Sequence, residues 1–342
     1  MESALLIKEY RAGVMECAHY GHISITDENG RVVYSAGDPH FRAFTRSSAK
    51  PFQAIPGIRA GMAEHYGLTA REIAIMASSH RSEPEHIQVL GQLSHKIGLG
   101  EECLICAPSY PLNEESRNQW LRNQGEKRRI LHNCSGKHLG ILGYSQMKQV
   151  DLGTYAEPEH PVQREILQTL SELAGIEQHD IKLGTDGCGF PVFSLPLSAL
   201  GQAYLKLACP DLIKDEATRR AVETITSAMH QHPLMVGGTD RVDSVLLEDE
   251  NIVAKGGFKG VFGFALKKER LGITFKVLDG SEEEWAWIVQ SILRQIGYAN
   301  TKLLDRLSEA YPLDIRNDAG TIVGRAEAEF VLTGLNKAGI KS

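Results

Sequence analysis

Along residues 22–34, HISITDENGRVVY, apolar and polar residues alternate on both sides of Asn29-Gly30, which predicts a β-hairpin turning there. The period then lengthens. Residues 48–63 read as a helix in which Pro51 is tolerable only in the first turn, and Pro56 should kink or shorten the helix beyond it. Thr69-Ala70-Arg71-Glu72 reads as a capping box opening a helix to about Ala77. Residues 83–97, 159–173, 197–208 and 215–230 keep helical spacing between Gly, Pro and Asp punctuation. Near residue 241 the period shortens again. VDSVLLEDENIVAKG, FKGVFGFALKK and LGITFKVLDG predict three strands of an antiparallel meander. Residues 282–296 return to helical spacing, and TIVGRAEAEFVLTG predicts a closing strand. Strands at both ends around a helical middle predict an α+β fold, a mainly antiparallel sheet packed with helices. The expected organisation is one unit over 1–342, with a strand-rich N-terminal part and 241–342 interwoven with a helix-rich 48–240.

Composition narrows the function classes. The chain has 342 residues, 42% hydrophobic and 23% charged, which excludes a disordered chain. A net charge of −6 supplies no general attraction to nucleic acid or to an anionic membrane. No apolar run approaches the roughly 20 residues of a membrane span, and the run in MESALLIKEYRAG is too short for a signal peptide's core. The sequence therefore predicts a cytoplasmic protein. Its six cysteines are expected as free thiols or metal ligands rather than disulfides.

Several segments can carry chemistry. In RSSAKPFQA, Ser47 and Lys50 stand three apart, one helical turn. The plain alternative is a cap followed by a surface lysine. A serine hydroxyl needs a base, and a lysine amine serves as one only when burial or nearby cations lower its pKa. Arg46 and a helix start both favour a neutral Lys50, although a residue before proline is biased away from helical geometry. ASSHRSE, 77–83, gathers hydroxyls with His80 and Arg81, or is simply a capped loop in which Ser82 caps the next helix. HNCSGKH, 132–138, and GTDGCGFP, 184–191, bring Cys134 and Cys188 into glycine-bearing loops, as soft zinc ligands or as two buried thiols. Cys103-x-x-Cys106 lacks a second pair and reads as ordinary thiols. Lys255-Gly256-Gly257 keeps the outer residues of the Lys-Thr-Gly that accompanies Ser-x-x-Lys in penicillin-recognising enzymes. HPLMVGGTDR, 232–241, reads most simply as a helix stop.

Taken together, Arg-Ser-Ser-Ala-Lys-Pro at 46–51, Ala-Ser-Ser-His at 77–80, Asn-Cys-Ser-Gly-Lys-His at 133–138, Gly-Thr-Asp-Gly-Cys at 184–188 and His-Pro-Leu-Met-Val at 232–236 resemble the asparaginase II family, the inducible, thermolabile rhizobial-type L-asparaginases. The resemblance implies a serine β-lactamase/glutaminase-like fold and two serine–lysine tandems, Ser47 with Lys50 and Ser79 with Lys255. It implies zinc at Cys134, Lys137 and Cys188, a pocket lined by Arg46, His80 and Asp186, and a homodimer. The expected substrate is L-asparagine, its side-chain amide attacked by an activated serine. Two serines compete for that role, and the helix-start argument favours Ser47. Arg46 is the expected partner of the substrate's α-carboxylate and Asp186 of its α-ammonium. The alternatives are another serine acyl-hydrolase of the glutaminase or β-lactamase type, for which no Ser-x-Asn or Tyr-x-Asn is evident, and a zinc-stabilised amino-acid-binding protein. The latter gives no reason for two lysines beside two serines.

Overall fold

The computed structural model describes residues 2–334. The chain lays down β1 (Ala4–Arg11), β2 (Val14–Thr26), β3 (Val32–Ala36) and β4 (Arg42–Phe44) before its first helix. β5 (Lys182–Thr185) and β6 (Pro191–Pro196) interrupt the helical middle. β7 (Ile252–Gly256), β8 (Val261–Leu266) and β9 (Leu271–Val277) come after it, and β10 (Asp314–Arg316), β11 (Ile322–Ala328) and β12 (Thr333–Gly334) are last. Nine strands form one antiparallel sheet in the order β10-β11-β1-β2-β9-β8-β7, with β3 also on β2 and β12 on β3. β4, β6 and β5 make a small second sheet. The fold is α+β, as the alternation of periods predicts. The first and last parts of the chain share one sheet because β2 pairs with β9 along Gly21–Thr26.

Both faces of this sheet are covered, which explains why β8 is buried along its whole length. Val261 and Ala265 join a core with the helices of the middle segment, while Phe262, Phe264 and Leu266 join a second core under helices Trp285–Gln295 and Thr301–Ala310. This is the period-2 alternation of a strand. Helix Leu197–Ala208 lies so close to the sheet that a Cβ on Gly272 would run into the carbonyl oxygen of Gly201. No helix among the described residues is long and apolar enough to cross a membrane.

The hairpin, the Thr69–Glu72 capping box and the helices Pro84–Ile97, Pro161–Ala174, Leu197–Ala208 and Glu216–Gln231 stand where the pattern predicts them. Three readings need correction. The first meander segment is a short helix, Val242–Leu246, before it becomes β7, because Val242, Val245 and Leu246 bury one helical face. The helix over 48–63 divides into a 3-10 turn at Arg46–Ala49 and helices Lys50–Arg59 and Met62–Tyr66. The cap before Pro84 is Glu83, with Ser82 turned aside at φ 57° to donate to the Leu131 carbonyl.

Candidate active site

Ser47 lies in the 3-10 turn and Lys50 is the first residue of helix Lys50–Arg59. Lys50 is helical, at φ −60° and ψ −38°, despite the proline beside it. Pro51 sits in the first turn, where its missing N–H leaves no helical bond unmade. Arg46 enters the turn at φ 50°, a left-handed conformation that costs a non-glycine residue energy and marks a constrained position. These features fold Lys50 inward, and it is almost fully buried.

Ser79 lies just beyond the helix Ala70–Met76 and is pinned by its own N–H, which donates to the Val236 carbonyl at 2.8 Å. Lys50 Nζ donates to Ser79 Oγ at 3.1 Å and to the Asn133 carbonyl at 3.1 Å. Burial pulls the Lys50 ammonium down to about 8, with Cys134 opposing that shift and Lys137 and Lys255 adding to it. Lys255, on β7, is equally buried, but its Nζ donates to Asp243 Oδ2 at 3.0 Å and to the Gly256 carbonyl at 2.7 Å. The pairing therefore differs from the expected tandems. Lys50 meets Ser79 rather than Ser47, and Lys255 meets a carboxylate rather than Ser79.

Ser79 and Lys255 border one cavity of about 440 Å³, walled also by Arg46, Ser47 and Asp186 among others. That volume is ample for an amino acid. Arg46 Nη2 and Asp186 Oδ1 are 2.7 Å apart, so an acid and a base stand side by side at its edge. His80 does not reach the cavity. It is fully buried, its Nδ1 accepts from the Ser82 N–H at 3.3 Å, and its Nε2 therefore donates to Ser135 Oγ at 2.8 Å. Burial and His86 hold this imidazole neutral, and it braces the start of helix Ser135–Met147 from behind.

Cys134 and Cys188 are mutually within hydrogen-bond reach, and Lys137 Nζ lies 3.1 Å from Cys188 Sγ. The bond from Cys188 draws the Cys134 thiol well down, with Lys50 and Lys137 helping against burial. Nearby, His138 Nδ1 is engaged by the Tyr155 hydroxyl at 2.7 Å, and its buried Nε2 has no partner among the described residues. Two sulfurs and an amine gathered at one buried point form a soft donor set, so Cys134, Lys137 and Cys188 fit zinc.

Sequence reading missed Asp243. It is buried, accepts from both Lys255 Nζ and the Gly256 N–H (3.1 Å), and lines the cavity. Burial would raise its carboxyl, but Lys255 and Arg241 hold it below the ordinary 3.8. The one signal was a lone charge inside the apolar run Val242–Leu247. The Arg241–Glu282 pair, 3.3 Å apart on the cavity wall, joins residues 41 positions apart and left no local signal.

A family model, L-asparaginase II, matches residues 7–328. No curated protein sequence matches the chain. Among solved structures, Mglu in its native form aligns over 86% of this chain at 17% identity, with a TM-score of 0.45. The chain spans 61% of that protein's length. A β-lactamase from Mycobacterium bovis aligns over 80% of this chain and 94% of its own, at 13% identity and a TM-score of 0.39.

Proposed function

We propose that this chain, which belongs to the L-asparaginase II family, hydrolyses the side-chain amide of L-asparagine to L-aspartate and ammonia. It is an amidohydrolase by family. The observation that carries the finer reading is the 3.1 Å contact between Ser79 Oγ, on the wall of the Arg46–Asp186 cavity, and the buried amine of Lys50. A base in contact with a hydroxyl is what a serine nucleophile requires.

In this reading Ser79 Oγ attacks the amide carbon while neutral Lys50 takes the hydroxyl proton. The tetrahedral intermediate collapses as Lys50 returns that proton to the nitrogen, and ammonia leaves. Water then attacks the aspartyl ester and passes a proton to Lys50, the bond to Oγ breaks, and Oγ regains its proton. Ser47 lines the same cavity and serves as a proton relay or substrate donor. This reading takes Ser79 rather than Ser47 as the nucleophile, supported by its contact with Lys50.

Arg46 and Asp186 suit a zwitterion. L-Asparagine can exchange their mutual contact for two of its own, α-carboxylate to guanidinium and α-ammonium to carboxylate. Lys255, paired with Asp243, contributes a fixed dipole on the cavity wall. Zinc held by Cys134, Lys137 and Cys188 would add a positive charge beside the cavity and keep Lys137 as the free amine. Cys188→Ala should lose one equivalent of tightly bound zinc by elemental analysis. Full retention of metal would remove this site.

Ammonia release is the direct test. Saturating L-asparagine should give stoichiometric ammonia and L-aspartate. A protein that binds L-asparagine without releasing ammonia would reduce the reading to an amino-acid-binding function. L-Glutamine should be the poorer substrate, but one methylene discriminates by only about 1–3 kcal/mol, so some turnover of it is expected.

A further inference from the structure

A second group of metal-ligand side chains lies away from the cavity, where the start of helix Trp285–Gln295 meets β1 and β2. Glu9 and Cys17 are direct cross-strand partners, and His19 stands two residues beyond Cys17 on the same face. One ligand atom from each of the three falls within 4.8 Å of the others. Two more carboxylates reach the same imidazole. Glu284, the residue before the helix, places Oε1 at 3.3 Å from His19 Nε2, and Glu9 Oε1 is 3.2 Å from that nitrogen. Asp279 Oδ2 is 2.7 Å from His19 Nδ1.

We infer that Glu9, Cys17 and His19, with the buried Glu284 carboxylate beside His19, form a binding site for a divalent metal of the zinc type. Three observations lead there. Bonds of 2.0–2.1 Å in a tetrahedron set ligand atoms about 3.3 Å apart, and the two carboxylate–Nε2 separations have that size. The Asp279 contact fixes the ring through Nδ1–H and turns Nε2 toward Glu9 and Glu284, the usual carboxylate–histidine–metal arrangement. Finally, Glu284 is 1% exposed, yet its Oε2 has no partner among the described residues. A simple imidazolium bridge cannot serve that atom, because both ring nitrogens are already engaged by other oxygens.

The charge balance points the same way. Among the described residues, Glu9, Asp279 and Glu284 have no lysine or arginine within 4 Å, so three carboxylates share one imidazole. Thiol, imidazole and carboxylate together favour zinc or cobalt over magnesium or calcium, which take oxygen ligands. A bound ion would tie β1 and β2 to the turn that also carries Glu282 to the cavity wall. This site is independent of the catalytic reading, and of the Cys134–Lys137–Cys188 set.

Cobalt titration of the full chain, stripped of metal by a chelator, tests it. Cys17→Ser should take up one equivalent of Co²⁺ less than the parent protein and lose part of the near-ultraviolet thiolate-to-cobalt absorption. His19→Ala should bind that equivalent at least tenfold more weakly. Cys17 is exposed, so Cys17→Ser keeps the fold and decides the matter alone if His19→Ala does not fold. Equal uptake, affinity and absorption in Cys17→Ser and the parent protein would overturn the site. Cys188→Ala removes a different equivalent, so failure here and failure of the zinc set beside the cavity are separable.

Discussion

Ser79→Ala should lower L-asparagine turnover by about 10³-fold or more, equivalent to about 4 kcal/mol of transition-state stabilisation. The physical basis is specific. Ser79 supplies the hydroxyl that touches the buried amine of Lys50, and alanine leaves that amine facing only the Asn133 carbonyl. The fold should survive, because the backbone bond from Ser79 to Val236 does not involve the side chain. The measurement is kcat for ammonia release, with circular dichroism and thermal unfolding as controls. Lys50→Met should match the loss, and the double variant should be little worse than either single one, since the pair acts as a unit. Near-parental turnover in Ser79→Ala would transfer the nucleophile's role to Ser47.

Asp243→Ala should destabilise the fold by about 3–5 kcal/mol, the usual cost of leaving one partner of a buried ion pair alone. Lys255 Nζ would be left with only the Gly256 carbonyl as a partner. Urea unfolding measures the effect, and a loss below about 1 kcal/mol would mean that water reaches Lys255 in the native state. Removing both charges, as Asp243→Leu with Lys255→Met, should recover most of the stability, because a buried pair contributes little net energy against well-packed apolar groups. The pH dependence has a definite sign. The folded carboxyl of Asp243 lies below the ordinary 3.8, so in acid the unfolded chain binds more protons than the native one. The contribution is complete above the unfolded pKa and falls away as pH drops through and below it toward the folded value. Asp243→Asn should flatten that part of the stability–pH curve.

The elements that were legible are those whose period is local. The hairpin turning at Asn29-Gly30 and the capping box at Thr69–Glu72 each depend only on residues close together in the chain. β1 left a weaker trace, since ALLIKEYR does not alternate strictly, and β4, β5 and β6 are three to six residues long. Helix Val242–Leu246 was misread because a segment of five apolar or polar residues fits either period until its neighbours choose a face. His80 shows the same limit at the site. A histidine among serines looks available for catalysis, and only packing turned it to Ser135.

By itself, the sequence determined the α+β class, the family, and the set of serines, lysines and cysteines from which a site could be assembled. Those come from local periodicity and from residue identity, both of which are one-dimensional. Only the tertiary structure decided which lysine touches which serine, that Asp243 neutralises Lys255, and that Glu9, Cys17 and His19 meet Glu284 at a helix start. The contact of His19 with Asp279 at that place joins residues 260 positions apart. Such contacts are set by how the sheet and helices pack, and no short stretch of chain encodes that distance.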